Sequence, residues 1–314
     1  MPDLNPVLIK ELRGRMRGAR AFVLLTIYLL ILSGVTLLFY AAIADVSASD
    51  LNAGRQIGKG LFLLIAAVAL IEVCLITPAL TAGGIAGEKE RQTYDLLVSS
   101  LLSPWQIAWG KLGAALSFAL LMILAVVPMM SLAFLFCGVS LAEVLIALIG
   151  LLATAVFYAT IGLFWSAALR STLGATSLAL GSIIMMLLGI PFLALIFTLI
   201  FGRELSPDWL NSALFVYVSG AFLYSHPFIA LQTTESQISS GESPFYSRVS
   251  IGSDLAARGH ILVPSPWISY VLLSLLFSAI LVFLTVRMLR PSADSPDSGG
   301  RATPSAQGSR EGRG

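Results

Sequence analysis

Residues 61–82, LFLLIAAVALIEVCLITPALTA, form an uninterrupted apolar run in which Glu72 is the only charged residue. As an α-helix it would be about 33 Å long, which is enough to cross a bilayer core roughly 30 Å thick. Five other stretches are comparably long and apolar, at residues 21–43, 112–137, 144–169, 173–201 and 267–286. We therefore predict an all-α membrane protein whose six transmembrane helices lie within residues 21–290.

The composition of the chain agrees with this prediction. Of its 314 residues, 57% are hydrophobic and 11% are charged, and the mean hydropathy is +0.89. Soluble domains carry roughly 25% charged residues, so these few charges do not suffice to cover a surface that faces water. The net charge of +2 is too small to indicate nucleic-acid binding. Cys74 and Cys137 lie in apolar runs, so we expect neither a disulfide framework nor a metal site.

The positions of the lysine and arginine residues predict the orientation of the chain. Basic residues are concentrated on the cytoplasmic side of membrane proteins, chiefly in short segments next to the spans. With both termini in the cytoplasm, most of the 19 basic residues fall on that side. We therefore expect a multi-pass protein of the cell membrane, plasma or inner, with both termini cytoplasmic.

The long connection at residues 202–266 is predicted to lie on the outer side. Within it, residues 209–231 are apolar but contain Pro227 and several polar residues. Irregular backbone at membrane depth has to be sheltered by protein or water. We therefore favour a re-entrant or interfacial pair of short helices before the last span over a seventh span. The cytoplasmic tail at residues 291–314 is rich in Ser, Gly, Pro and Arg and is predicted to be disordered.

Residues 1–20 are predicted to form an amphipathic helix at the membrane surface. Asn5 and Pro6 are typical of a helix N-cap and of a first helical position. The alternative is a topogenic charge cluster without an interfacial helix. At helical spacing one face is apolar and the opposite face is basic; the apolar residues are Leu8, Ile9, Leu12 and Met16, and the basic ones are Lys10, Arg13, Arg17 and Arg20.

The segment at residues 83–111, between the second and third spans, holds the densest charge cluster of the chain. Three glycines, at positions 83, 84 and 87, are expected to end the membrane helix at the surface. An apolar stripe at helical spacing then runs from Tyr94 to Leu101, and SPWQ at 103–106 is a capping-box pattern that starts the next helix. Such a segment suits docking into a groove of a soluble partner. The alternative is an ordinary surface loop with solvated charges.

This segment also carries a resemblance to a known family. The run GEKERQTYDLL at 87–97, followed by LSP at 102–104 and GKL at 110–112, resembles the first cytoplasmic loop of ABC-2 type transporter permeases. The opening NP at 5–6 and KELR at 10–13 is similar to the N-terminal elbow helix of that family. The order of these features, the six spans and the long outer connection agree, so the resemblance covers about residues 1–290.

The resemblance implies a permease subunit of an ATP-driven exporter. In the family, this loop carries a coupling helix that fits a cleft on a separate ATPase subunit, and two permeases, identical or different, work with two ATPase subunits. ATP and Mg²⁺ would then be bound by the partner and not by this chain. The positions that match the coupling loop are Glu88, Lys89, Glu90, Arg91, Thr93, Tyr94 and Asp95.

The motifs that the sequence lacks agree with a non-enzymatic role. No G-x-x-x-x-G-K-[ST] phosphate loop is present, because the Gly-Lys pairs at 58–59 and 110–111 are followed by Gly60 and Leu112. An intramembrane enzyme is disfavoured because the sequence contains neither H-E-x-x-H nor G-x-S-x-G. An ATPase-coupled membrane anchor or assembly subunit, without a transported substrate, stays open as the alternative to an exporter.

Glu72 is the acidic residue that the sequence places in the middle of a span. Carboxylates at this depth are costly and usually face a cavity or a partner helix. Two interpretations stay open, a role in the substrate or proton path and a protonated interhelical hydrogen bond. Glu143, near the outer end of its span, is expected at the surface, and His226 is expected to be a polar loop residue.

Overall fold

The computed structural model of the protein describes residues 6–16, 19–44, 53–94, 102–135, 138–201, 212–251 and 259–289. Asn5, Asp95, Leu97, Leu101, Cys137 and the tail at 291–314, all subjects of the predictions above, lie outside these ranges. The described part contains nine helices and one antiparallel β-hairpin. These are α1 Pro6–Met16, α2 Ala19–Ala44, α3 Ala53–Glu90, α4 Pro104–Leu135, α5 Leu141–Ala168, α6 Thr172–Phe201, α7 Ala213–Tyr224, α8 Pro227–Ser239, β1 Tyr246–Ile251, β2 Gly259–Pro264 and α9 Pro266–Leu289.

Six of these helices, α2, α3, α4, α5, α6 and α9, are long and apolar enough to cross a membrane. The prediction of an all-α membrane protein with six spans is thereby confirmed. The central helix is α3, which packs against α2, α4, α5 and α6. By contrast, only 6% of the most apolar stretch of α6 is buried within the chain, against 61% for α5. The core therefore lies around α3 and α5.

One expectation about α3 is wrong. The three glycines at 83, 84 and 87 do not end the helix, which continues to Glu90. Each glycine inside a helix costs up to about 1 kcal/mol relative to alanine, and tertiary packing offsets such costs. Here the backbone N–H groups of Ile85 and Ala86 both donate to Ser166 Oγ of α5, at 2.8 and 2.9 Å. The glycine segment therefore stays helical and is bonded to α5, and it does not form a break at the surface.

The connection before the last span contains two short helices, α7 and α8, that meet at a bend of 118°. At 1.5 Å per residue, each is only about 18–20 Å long and too short to cross a bilayer alone. Because α8 turns back relative to α7, the pair fits the predicted re-entrant segment better than a seventh span.

Two polar residues at this end of the bundle are buried. For Glu143 the expected surface position is wrong, whereas His226 lies in the bend between α7 and α8, as expected for a loop residue. His226 is 4% exposed and caps α8: its Nδ1 accepts from the Ile229 N–H at 3.2 Å, and its Nε2 lies 3.0 Å from the Leu187 carbonyl. Glu143 is 5% exposed, and its carboxylate accepts the N–H of Ser140 in the capping box that begins α5. In both cases a helix cap keeps a polar side chain inside the protein.

The first helix runs from Pro6 to Met16, within the predicted range of residues 1–20, and packs against α4. Val7 is buried, while Lys10 and Arg13 are exposed. The position of this helix at a membrane surface stays a prediction. We call the end of the bundle that carries α1 and the C-terminal end of α3 the α1 end. The opposite end, with the first residues of α3 and α5 and with α8, is the α8 end.

Candidate functional site

The predicted coupling residues lie where α3 ends, at the α1 end of the bundle. Gln92 adopts a left-handed conformation with φ of 58°. The N–H of Thr93 donates to the Glu88 carbonyl at 2.9 Å, and the N–H of Gln92 donates to the Lys89 carbonyl at 3.2 Å. These two bonds define a Schellman motif, in which glycine is the usual left-handed residue. A residue with a Cβ pays roughly 1–2 kcal/mol there, so neighbouring contacts must hold this turn in place. We call residues 88–94 the coupling turn.

One set of contacts ties the coupling turn to α1 and α4. Lys111 of α4 is 3% exposed, and its Nζ lies 3.0 Å from Glu11 Oε1 and 3.8 Å from Glu88 Oε1. The same ammonium donates to the Gly84 carbonyl at 2.7 Å. Glu88 in turn accepts from the Thr93 hydroxyl. The charge of the buried lysine is therefore compensated by acceptors from α1 and α3, which fixes these elements relative to one another.

A second set of contacts ties the turn to α5. Lys89 Nζ donates to the Ala167 carbonyl in the last turn of α5, where the helix dipole favours a cation. The same ammonium lies 5.4 Å from the centre of the Tyr94 ring, within the range of a cation–π interaction. Tyr94 also packs against a buried cluster that includes Ile107, Ala108 and Leu112. Lys89 and Tyr94 therefore contact their own chain.

A third contact ties the turn to α6. Glu90 Oε2 accepts from the backbone N–H of Thr172 at 3.0 Å and from its hydroxyl at 2.7 Å. Thr172 is the first residue of α6, so this carboxylate satisfies a free N–H group at a helix N-terminus. The coupling turn is thus in contact with α1, α4, α5 and α6.

Among the described residues of the turn, the side chains left exposed to a partner are polar. Glu90, Arg91 and Gln92 are exposed. Beside them is an open cleft of about 490 Å³, lined by Glu11, Glu88, Glu90, Arg91 and Thr172 together with the glycine segment of α3. The guanidinium of Arg91 makes no hydrogen bond or ion pair with any residue that the structure describes.

The structure brings six of the seven predicted coupling residues together in one turn, while Asp95 lies outside the described residues. The sequence did not point to Glu11, Lys111 and Thr172, which hold the turn, or to Ser166, which holds the helix just before it. Lys111 carried one signal, because it is a lone basic residue that follows a capping box and precedes an apolar span. No local pattern distinguished Ser166 or Thr172 from other hydroxyl residues of the spans.

Glu72, the other predicted site residue, lies in the middle of α3 and is 7% exposed. Neither of its carboxylate oxygens has a hydrogen-bond partner among the described residues, and the nearby Tyr28 hydroxyl of α2 has none either. The interhelical hydrogen bond that was one of the two interpretations is therefore not formed within the described part of the chain.

A sequence profile of the family described as "ABC-2 family transporter protein" matches residues 49–287, which is well over half of the 314 residues. A search of curated proteins found no significant match. The matched region contains the whole coupling turn, four of the six spanning helices, and α9 except for its last two residues. The chain therefore belongs to the ABC-2 family and is a multi-pass, membrane-spanning permease subunit of an ABC transporter.

Proposed function

We propose that the coupling turn is the site where a separate ABC ATPase docks, and that ATP hydrolysis on that partner drives export through this permease. One observation carries this proposal: the turn exposes a few polar residues, and its other side chains are held by contacts with α1, α4, α5 and α6. Pre-organised contact surfaces lose less entropy when a partner binds. In this proposal the α1 end faces the cytoplasm, and ATP and Mg²⁺ are bound by the partner.

The contacts of the turn suggest how docking would act on the membrane helices. Lys111, Lys89 and Glu90 connect it to α4, α5 and α6 respectively. A displacement of the turn by the ATPase would therefore move several spanning helices together. Coupling between distant sites travels through packed and hydrogen-bonded elements of this kind. A second permease copy would complete the transporter.

Glu72 is proposed to lie on the substrate path. Its buried carboxylate has no partner in the described part of the chain, and an unpaired polar group at mid-membrane depth is costly. Because no contact in the described part of the chain offsets this free-energy cost, a functional reason for Glu72 is favoured.

A photo-crosslinking experiment tests the docking proposal. Gln92 is exposed, so its side chain can be replaced by the photoreactive p-benzoylphenylalanine, which like glutamine is not branched at Cβ. Irradiation of native membranes should give an adduct that contains an ABC ATPase, recognisable in mass spectrometry by its phosphate-loop sequence. The matched control carries the same residue at Phe192, which is 60% exposed on α6 and should give no such adduct. If both positions or neither capture the ATPase, the coupling turn is not the docking site.

Substitution of Glu72 tests the proposed substrate path. Because its oxygens have no described partner, Glu72→Gln and Glu72→Leu should leave the thermal midpoint unchanged or raise it slightly. Both should retain the ATPase, yet lower the amount of exported compound, measured by untargeted mass spectrometry of the medium. A marked loss of folded protein in both variants would instead assign Glu72 a structural role.

A further inference from the structure

A β-hairpin, formed by β1 and β2, connects the helix pair α7–α8 to the last span. Its strands pair antiparallel, with Arg248 opposite Leu262. Side chains alternate between the two faces of such a sheet. One face is buried or half-buried, at Ser247, Val249, Ile261 and Val263. The residues described on the other face are exposed, namely Tyr246, Arg248, His260, Leu262 and Pro264. We call these five residues the open face.

The open face is apolar beside the last span and polar farther from it. Tyr246 and Pro264 form the pair nearest α9. Arg248 and Leu262 form the next pair, and His260 lies farther still. Tyr246 and Leu262 are 45% and 60% exposed. Neither strand contains an acidic residue, and Arg248 makes no ion pair with any residue that the structure describes. The open face therefore combines an apolar base with an uncompensated positive charge.

The base of the hairpin is fixed to the beginning of α9. The backbone N–H of Ser265 donates to the Phe245 carbonyl at 3.0 Å, and Trp267 Nε1 donates to the Pro244 carbonyl at 2.7 Å. The rings of Phe245 and Trp267 also lie close together, with their centroids 6.4 Å apart. Wherever α9 enters the membrane, these contacts place the base of the hairpin beside it.

The length of α9 sets the depth of that base. Its 24 residues form a helix about 36 Å long, little more than the roughly 30 Å of a bilayer core. The helix therefore begins close to the membrane–water interface, where tryptophan, here Trp267, is typical. Pro264 precedes the first residue of α9 by two positions and lies at most about 7 Å from it. The base of the open face is thus within reach of the lipid headgroups.

The neighbouring helix α7 supports the same depth. The Tyr217 hydroxyl of α7 donates to the Leu262 carbonyl at 2.8 Å, and Leu214 and Val218 of α7 are 76% and 60% exposed. The apolar surface of the open face therefore continues onto α7. The outer edges of a two-stranded sheet carry backbone N–H and C=O groups that the sheet does not pair, and such edges do not occur in the hydrocarbon core. Both observations suit the headgroup region, which offers apolar contacts together with water and phosphate.

We propose that the open face binds phospholipids of the leaflet in which α9 begins. Tyr246 and Leu262 lie against the ends of the acyl chains nearest the headgroups. The guanidinium of Arg248 donates to a lipid phosphate, for which its planar set of N–H donors is suited. His260 lies farther from the membrane and contacts water. The proposal requires that α9 crosses the membrane, and it does not rest on the docking of an ATPase.

Fluorescence quenching of the full-length protein, in nanodiscs of equal amounts of phosphatidylcholine and phosphatidylglycerol, tests the proposal. Bimane is attached to Leu262→Cys or, as the matched control, to His260→Cys, which is two residues away on the same strand and face. Both proteins carry Cys137→Ala, whereas Cys74 is fully buried and is retained. One quencher is a lipid with a nitroxide near the headgroup end of its acyl chain, and the other is aqueous iodide. We expect the nitroxide to quench bimane mainly at position 262 and iodide to quench it mainly at position 260.

Charge reversal at Arg248 tests the phosphate contact. In the bimane-labelled Leu262→Cys protein, Arg248→Glu should lower the ratio of nitroxide quenching to iodide quenching about fivefold, since a basic residue beside an anionic membrane contributes about that factor to binding. Arg248→Lys keeps the charge and should retain most of the ratio. Arg55→Glu is the matched control, because it makes the same charge change at an exposed position of the α8 end, and it should leave the ratio unchanged.

Three outcomes would overturn the proposal. Strong iodide quenching with weak nitroxide quenching at position 262 would mean that the open face lies in water. Weak quenching by both agents at this position would mean that protein covers the face, such as a second copy of the chain. An unchanged ratio in Arg248→Glu would show that Arg248 does not contact lipid phosphate. If the labelled Leu262→Cys protein does not fold, Tyr246→Cys on the same face carries the test.

Discussion

Substitution of Gly162 by alanine is expected to remove most of the folded protein from the membrane. A Cβ at this position would lie 2.1 Å from Thr81 Oγ1 and 2.6 Å from the Pro78 carbonyl oxygen. The Pro78 contact is with backbone, which no side-chain rotation relieves, so α5 and α3 would have to separate. Overpacking of this kind costs about 1–3 kcal/mol or more, and here it falls on the central helix pair.

The measurement is the yield and thermal midpoint of the detergent-extracted protein. Gly150→Ala is the matched control, because it lies on the same helix with no atom within 4 Å of the added Cβ. It should be neutral or slightly stabilising, as expected for glycine replaced by alanine inside a helix. Equal yields and midpoints for the two variants would mean that α3 and α5 do not approach as closely as the structure describes.

Reversal of the charge at Arg91 is expected to separate the permease from its ATPase. Arg91 is exposed in the coupling turn, and its guanidinium is free of ion pairs with the described residues, so Arg91→Glu should leave the fold intact. A like-charge contact at an interface costs several kcal/mol, and about 3 kcal/mol would weaken binding more than a hundredfold. The measurement is the amount of ATPase that co-purifies with the tagged permease, together with the rate of ATP hydrolysis.

Arg287→Glu serves as the control for this prediction, because it makes the same charge change at an exposed position near the end of α9. It should retain full association. Equal loss in both variants would indicate a general effect of charge, and equal retention would show that the coupling turn does not dock the ATPase. Tyr94→Ala and Glu90→Lys are less informative, because Tyr94 packs in its own chain and Glu90 caps α6.

The spans were predictable from the sequence because a helix must have about 20 consecutive apolar residues to cross the bilayer. The length of an apolar run can be read locally, without knowledge of the tertiary structure. The break in residues 209–231 was predictable for a related reason, since Pro227 and its polar neighbours do not fit a continuous lipid-exposed helix. The prediction that α3 ends at its three glycines was wrong. Helix propensity is weak compared with the packing of α3 and the hydrogen bonds that Ser166 accepts from it.

Sequence alone thus determined the class of protein, the number of spans and the segment that forms the coupling turn. Only the tertiary structure decided which side chains of that segment face outward. Lys89 and Tyr94 look like partner-binding residues in the sequence, yet they are held against α5 and the start of α4. Glu143, Glu235 and Lys59 are far apart in the chain and meet only when α8 folds back onto α3 and α5. Hydrophobic periodicity is encoded locally, whereas the pairing of polar groups depends on the packing of helices distant in the chain.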